Sequence, residues 1–264
     1  MKYQIIIAII AVVLIVVGIL FLERNLLITQ QGNISKVVFP TQDQITPALG
    51  SGWNVTGILE ENFSNAVYSQ YPGAITLYQE YIQNGNQTIT LTVLLLNSTT
   101  NIQGIKVGKY LITANITGNS TPINLKSIEN LELSSLRSGK GLSPTLNPLL
   151  IPVKENITLL EFGNATTRNY TLYFESIEYN KTFTYIDLAV SSNISNLFNQ
   201  LLSSAGKNVT ISTFDNAKYF NISFTSFYGS VYYTVGIKDN YLVFIQSETP
   251  QSFTFFTYII NELP

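Results

Sequence analysis

The sequence has no cysteine, no histidine and a single methionine, and it carries few charges. Without cysteine it can form neither a disulfide nor a catalytic thiol, and without histidine it has neither a Ser-His-Asp triad nor a Cys/His zinc site. Charged residues make up 11% of the 264 residues, whereas protein sequences usually contain about 25%. The net charge of −2 offers no basic field for nucleic acid, so a nucleic-acid partner is not expected.

An apolar run stands near the start of the chain. Residues 5–22 contain no charged side chain, and at about 1.5 Å per residue a helix of this length spans most of a bilayer's hydrocarbon core. One lysine precedes the run, and a cancelling acidic-basic pair follows it. The positive-inside rule therefore predicts a cytoplasmic N-terminus, a cell-membrane location and an extracytoplasmic position for residues 25–264. A cleaved signal peptide and a pilin-like leader are the alternatives to a retained anchor.

Asn-x-Ser/Thr sequons occur 14 times, well above the number expected from random placement of these residue types. All of them lie in the segment predicted to be extracytoplasmic, where N-glycosylation takes place. An Asn- and Thr-rich composition is the alternative explanation, but the excess favours N-linked glycans. The candidate glycosylation sites are Asn33, Asn54, Asn62, Asn86, Asn97, Asn115, Asn119, Asn156, Asn164, Asn169, Asn180, Asn193, Asn208 and Asn221.

Dense sequons, no cysteine, little charge and abundant Ile, Tyr, Asn and Thr together form a distinctive composition. It resembles that of the exported, heavily N-glycosylated, membrane-anchored surface proteins of thermoacidophilic archaea of the Sulfolobales kind. The resemblance covers the whole chain and is one of composition. It implies an acidic exterior, in which carboxylates are protonated and a surface of amides, hydroxyls and glycans stays soluble.

The periodicity of apolar residues predicts an α+β fold class. We expect an N-terminal transmembrane helix followed by mainly antiparallel sheet modules with a few packed helices. The expected divisions are a membrane anchor (1–24), a juxtamembrane spacer (25–39), a first α+β module (40–116), a linker or long connection (117–155) and a second α+β module (156–264).

The two modules share a pattern that suggests a repeat. Residues 78–82 and 173–177 match at alternate positions, and each segment leads through an Asn-containing turn into Thr-x-Thr. Generic strand alternation explains the match equally well. In the second module, alternation predicts that Phe220 and Val235 face inward beneath helices, whereas Asn221 lies on a solvent-exposed face.

Local signals mark several elements. Thr41 and Gln44 have the spacing of a capping box, and Asn84-Gly85 is a hairpin turn signal between two β-rich stretches. Residues 193–204 carry apolar side chains with helical spacing. Thr249-Pro250 has the form of a helix start.

Catalysis in this chain would depend on carboxylates, and Glu175 and Asp187 form the candidate pair. They lie on adjacent strands of one predicted hairpin, and glycoside hydrolysis needs two facing carboxylates about 5–9.5 Å apart. Solvated strand charges are the simpler interpretation. The spacing of acidic residues does not match a cation-binding loop, so neither a metal nor a cofactor is expected.

An aromatic cluster is the other candidate site. Tyr232, Tyr233, Tyr241 and Phe244 fall on neighbouring predicted strands. An exposed aromatic surface can bind sugars or a protein partner, and core packing is the alternative. Common exposure of the four side chains as one patch would favour binding.

These observations predict a single-pass, membrane-anchored extracytoplasmic glycoprotein. Its role would be that of a non-enzymatic structural, binding or accessory subunit of a cell-envelope or membrane complex, in contact with the lipid bilayer through residues 5–22 and with a protein partner. One alternative is an extracellular filament or adhesion subunit, in which residues 25–39 are an exchanged strand. Another is an acid-active hydrolase that uses a carboxylate pair.

Overall fold

A computed structural model describes residues 28–30, 34, 36–62, 71–118, 123–145, 147, 149–150, 157–167, 169–206, 209–226 and 229–264. Thirteen strands and four helices lie in this part of the chain. The first eight elements are β1 (Ile28–Gln30), α1 (Gln42–Leu49), β2 (Asn54–Asn62), β3 (Ala74–Asn84), β4 (Gln87–Leu96), β5 (Ile105–Val107), β6 (Tyr110–Thr117) and α2 (Leu125–Ser138). The remaining nine are β7 (Ile157–Thr166), β8 (Thr171–Tyr179), β9 (Thr182–Val190), α3 (Ile194–Ala205), β10 (Ser212–Phe214), β11 (Ala217–Ser226), β12 (Gly229–Lys238), β13 (Tyr241–Ser247) and α4 (Ser252–Glu262).

All the strands of the described residues belong to one sheet. Their order is β1-β5-β6-β4-β3-β2-β7-β8-β9-β13-β12-β11-β10, and every neighbouring pair is antiparallel except β1 with β5. The β2–β7 pair joins the strands that precede residue 118 to those that follow residue 156. The expected α+β fold of separate sheet modules is therefore wrong: the described residues form one large antiparallel sheet with four short helices.

The hairpins of the sheet form where the sequence supplies residues that tolerate a positive φ. Asn180 and Lys181 connect β8 to β9 with φ angles of 52° and 64°. Asp215 and Asn216 connect β10 to β11 in the same way, with φ angles of 44° and 62°. Two consecutive positive φ angles define the type I′ turn, whose twist matches that of the flanking strands.

Both faces of the sheet carry helices. We call the side that bears Glu61, Glu161 and Tyr185 the front face, and the side that bears Glu60 and Glu175 the back face. Helices α1 and α2 pack on the back of β2 to β6, and α4 packs on the back of the second half. Helix α3 covers the far end of the front face, where its Phe198 lies 5.6 Å from Phe220 between ring centroids.

The expectation of one face under helices and one solvated face is thus wrong. Phe220 and Val235 do face inward, beneath α3. Asn221 is exposed, but Thr234 beside it is completely buried and donates to Asn221 Oδ1 at 2.8 Å. Thr234 Oγ1 also lies at hydrogen-bonding distance, 3.0 Å, from Ser252 Oγ of α4. The back face therefore packs against a helix at the point where the sequence predicted solvent.

The C-terminus of α4 is tied to the sheet by one lysine. Lys238 of β12 donates through Nζ to the backbone oxygens of Ile260 and Leu263, at 3.0 and 3.2 Å. Its Nζ also lies 3.1 Å from Asp215 Oδ2. Because unpaired carbonyls at a helix end need donors, this lysine fixes both the end and the orientation of α4.

Two segments predicted to be connections take part in the folded core. Val38 and Phe39, within the predicted spacer, are buried, and Phe39 pairs with Leu142 through two backbone hydrogen bonds. The predicted linker contains α2, whose Ile128 and Leu136 are buried against the sheet. These contacts arise because the apolar residues of both segments lie on the side that packs against the sheet.

The expected transmembrane helix falls on residues 1–24, which lie outside the described residues. Within the described part of the chain, no helix is both long and apolar enough to span a membrane.

Candidate functional site

The two carboxylates predicted as a pair, Glu175 and Asp187, do not face each other across the hairpin. Glu175 is opposite Ile186 on the back face, whereas Asp187 is opposite Phe174 on the front face. The two-residue turn at 180–181 sets this register. Across it, every odd-numbered residue of one strand pairs with an even-numbered residue of the other. Glu175 and Asp187 are both odd, so they lie on opposite faces and cannot act on one substrate as a pair.

Glu175 is instead an isolated carboxyl inside the back face. It is buried between Phe162 and Ile186 on the neighbouring strands. Its two oxygens have no hydrogen-bond partner among the described residues. Burial raises its pKa to about 8, so this carboxyl is neutral over a wide range of acidic pH.

Asp187 belongs to a group of carboxyls at the centre of the front face, which we call the acidic row: Glu61, Glu161 and Asp187. Glu61 of β2 lies directly opposite Glu161 of β7, a position in which Cβ atoms are about 4.5–5.5 Å apart. Asp187 lies two strands further along, on β9. The row is therefore a set of like groups on one surface.

Burial keeps the acidic row protonated in acid, and repulsion from its neighbours adds to this effect at Glu161. Burial, then the charges of Glu61 and Asp187, raise the pKa of Glu161 to about 8. Burial raises the pKa of Asp187 to about 7 and that of Glu61 to about 6. In the described residues, neither of the two salt bridges involves these three carboxyls. The row is thus predominantly uncharged in acid and gains repelling charges towards neutral pH.

Tyrosines border the acidic row on its β3 side. Burial, then the charges of Glu161, Tyr71 and Glu61, raise the pKa of Tyr81. Tyr81 Oη donates to Gln79 Oε1 at 2.7 Å, and Gln79 Nε2 donates to Thr92 Oγ1 at 3.2 Å. This chain fixes the polar side chains that continue the row across β3 and β4.

The arrangement gives no support for a metal centre. Within the described ranges, no group of three or more His, Cys, Asp or Glu side chains is placed to hold a metal ion.

The predicted aromatic patch is divided between the two faces. Tyr233 and Phe244 share the front face, with ring centroids 5.7 Å apart. Tyr232 lies one residue from Tyr233 along β12 and therefore points to the back. Tyr241 packs against the back-face core. The four side chains are partly buried rather than exposed together, because alternation along a strand sends neighbours to opposite sides.

A different set of aromatic side chains is exposed on the front face. Phe183 and Tyr185 of β9 are 36% and 43% exposed, and Phe224 of β11 is 49% exposed. Tyr233 lies between these strands and makes an edge-on contact with Phe224 at 5.8 Å. We call the set the aromatic strip, and with the amide that separates its tyrosines it comprises Phe183, Tyr185, Gln246, Tyr233 and Phe224.

Alternation along β9 indicates part of this strip in the sequence, although clustering of aromatic residues does not. In β9, Phe183, Tyr185 and Asp187 alternate with Thr184 and Ile186, which are buried. That alternation places two aromatic rings and one carboxyl on the same face. The register of β9 with β13 and β12 was needed to bring Gln246 and Tyr233 beside them.

The candidate glycosylation sites differ in accessibility. Among the described residues, Asn54, Asn86, Asn97, Asn169, Asn180, Asn193 and Asn221 are exposed. Asn62, Asn115 and Asn164 are partly buried. Asn33, Asn119, Asn156 and Asn208 lie outside the described residues.

Comparison with known proteins adds no assignment to this geometry: no family model matches the chain, and no curated protein is found to be related to it.

Proposed function

We propose that this protein is a non-enzymatic binding or accessory subunit of the cell envelope, located on the extracytoplasmic side of the cell membrane and N-glycosylated. In this proposal the front face of the sheet is the binding surface. The location rests on the apolar run, on the sequons and on the compositional resemblance described above.

The aromatic strip is the observation that carries the proposal. Three large apolar side chains, Phe183, Tyr185 and Phe224, stand exposed on one face of a rigid sheet. Their exposure costs stability, because burial of an aromatic side chain is worth about 1.5–3 kcal/mol. Aromatic groups held in this way are typical of binding surfaces.

The buried carboxyls favour an acidic working environment. Glu80, Glu132 and Glu175 are buried with neither oxygen hydrogen-bonded among the described residues. An ionised carboxylate is costly to bury without a partner, whereas a neutral acid is far less so. Together with the acidic row, these groups fit a protein that works where carboxyls are protonated, outside a cell in acid.

Purification from native membranes tests the proposal. The full chain carrying an affinity tag should retain a stoichiometric envelope component, and Tyr185→Ala should lose it. Ile75→Ala is the matched control, because Ile75 is an equally exposed hydrophobic residue at 41% but stands on β3, outside the strip. Equal retention by the wild type and Tyr185→Ala would contradict the proposal.

A second candidate function, glycoside hydrolysis at a pH where one of two raised carboxyl pKa values is passed, is favoured by one feature. Glu61 and Glu161 lie directly opposite each other on β2 and β7, as a pair of carboxyls about 5–5.5 Å apart in a retaining glycosidase must do, and both have a raised pKa. Hydrolysis by this route needs one of the two to be ionised. The test is an assay of oligosaccharide cleavage from pH 3 to 8 with the wild type and Glu161→Gln. Turnover that Glu161→Gln abolishes would replace the binding proposal.

A further inference from the structure

The aromatic strip has a regular spacing across the sheet. Gln246 of β13 is directly opposite Tyr185 of β9 on one side and directly opposite Tyr233 of β12 on the other. Neighbouring strands are about 4.8 Å apart, so the two tyrosines stand about 10 Å apart with an amide between them. Phe224 continues the line on the next strand, in edge-on contact with Tyr233.

Polar side chains lie at the Tyr185 end of the strip. Asp187 follows Tyr185 by two residues on the same face of β9, and Ser176 is opposite Tyr185 on β8. The strip then leads into Glu161, which is opposite Ser176. Ser176 is buried at 5% exposure, so a ligand lying across these strands meets Gln246 between two aromatic rings, with the partly buried Asp187 beside the first ring.

From this arrangement we infer that the aromatic strip binds an uncharged oligosaccharide. Sugar rings have apolar C–H faces that pack on aromatic rings, and their hydroxyls both donate and accept hydrogen bonds. In this binding mode alternate sugar rings stack on Tyr185 and Tyr233. The amide of Gln246, between the two tyrosines, forms hydrogen bonds with the hydroxyls of the intervening sugar. This inference deepens the proposed function and rests on it, because it names the ligand class of the same face.

The residue types of the site favour a neutral ligand. Neither the strip nor the acidic row contains a lysine or arginine, so an anionic polymer finds no counter-charge there. A purely apolar partner would cover Gln246 and Asp187 without offering them hydrogen bonds, which is costly. A neutral sugar satisfies these groups and covers the rings as well.

Titration calorimetry at pH 3 with the purified full chain provides the test, with cellohexaose and chitohexaose as the probes. We expect binding of at least one probe, with Tyr185→Ala and Tyr233→Ala each weakening it by about tenfold or more. Tyr185→Phe should bind nearly as the wild type does, because it keeps the ring. Ile75→Ala serves as the control, and circular dichroism verifies the fold of each variant.

Two outcomes would overturn the inference: no heat of binding with either probe, or binding that Tyr185→Ala leaves unchanged. Failure of the inference is separable from failure of the proposed function. If native membranes yield a protein partner that Tyr185→Ala releases, while neither sugar binds, the strip is a protein interface and only the sugar inference falls. If neither sugar nor partner depends on Tyr185, both fall.

Discussion

Glu80 of β3 and Glu132 of α2 are both completely buried, at 0% exposure, where the helix packs on the back face of the sheet. None of their four carboxyl oxygens has a hydrogen-bond partner among the described residues. Burial raises the pKa of both groups well above the usual value, and the charge of Glu80 raises that of Glu132 further. The interface therefore favours two neutral carboxylic acids, and ionisation of either one opposes docking of α2.

The double variant Glu80→Gln/Glu132→Gln should be more stable than the wild type at pH 7 and nearly unchanged at pH 3. Glutamine keeps the shape of a protonated glutamate. In the unfolded chain these carboxyls ionise near pH 4.5, and in the folded chain well above it. Their stability contribution is thus complete below pH 4.5 and is lost progressively as pH rises from there through the folded pKa. Denaturant unfolding at the two pH values measures the difference.

The matched control for this experiment is Glu262→Gln, which changes an exposed carboxyl at the end of α4. It should leave the dependence of stability on pH as in the wild type. If the double variant is equally destabilised at pH 3 and pH 7, the two carboxyls contribute through shape and not through protonation.

The acidic row should titrate as a coupled group. Carboxyl ¹³C NMR of the full chain should show Glu161 titrating near pH 8, and Glu61→Gln should lower that pKa. The shift should be partial, because burial is the larger cause of the raised pKa and the charge of Glu61 is the second. An unchanged Glu161 titration in Glu61→Gln would show that the two carboxyls do not interact.

Gly236→Ala should destabilise the protein by about 1–3 kcal/mol, because there is no room for a methyl group at this position. A Cβ on Gly236 would overlap the ring of Phe256, which α4 holds fully buried against β12. Thermal unfolding of Gly236→Ala, Phe256→Leu and the double variant forms a cycle. Recovery in the double variant is expected, since leucine vacates the space that the methyl group needs, and additive losses would exclude this contact as the cause.

Local elements of this fold could be predicted because their signals are local. The helical spacing of residues 193–204 is confirmed by α3 (Ile194–Ala205), and Thr41 with Gln44 forms the capping box. The final helix begins at Ser252, slightly after its Thr249-Pro250 signal. Continuity of the sheet could not be predicted, because the β2–β7 pair joins residues about a hundred positions apart and nothing in either strand specifies its partner.

The candidate site shows the same limit. Residue types were sufficient to select carboxylates and aromatics, but only the register decides which of them meet. A one-residue change of register exchanges the two faces of a strand, which is why Asp187 lies in a row with Glu161 rather than beside Glu175. Solvent exposure could not be predicted either. Tyr185 and Tyr233 both lie in alternating strand sequences, but Tyr185 is the more exposed of the two.

Glycan occupancy should follow the position of each sequon in the sheet. Asn86 is exposed in the turn between β3 and β4, and Asn180 is exposed in the turn between β8 and β9, where a glycan projects freely into solvent. Asn164 lies within β7, opposite Ile58 and Tyr173, and its Oδ1 is buried without a partner among the described residues. We therefore expect glycans on Asn86 and Asn180 and none on Asn164.

Glycopeptide mass spectrometry of the protein from native membranes measures this, with deglycosylation in ¹⁸O water to mark the sites that carried a glycan. Asn97, which is exposed just after β4, serves as a further positive site and controls for peptide recovery. A glycan found on Asn164 would contradict the pairing of β7 with β2 and β8, because the side-chain amide of a residue packed between those strands cannot carry a bulky polar group without opening them. Its absence, with glycans on Asn86 and Asn180, would agree with a sheet whose turns are open to modification.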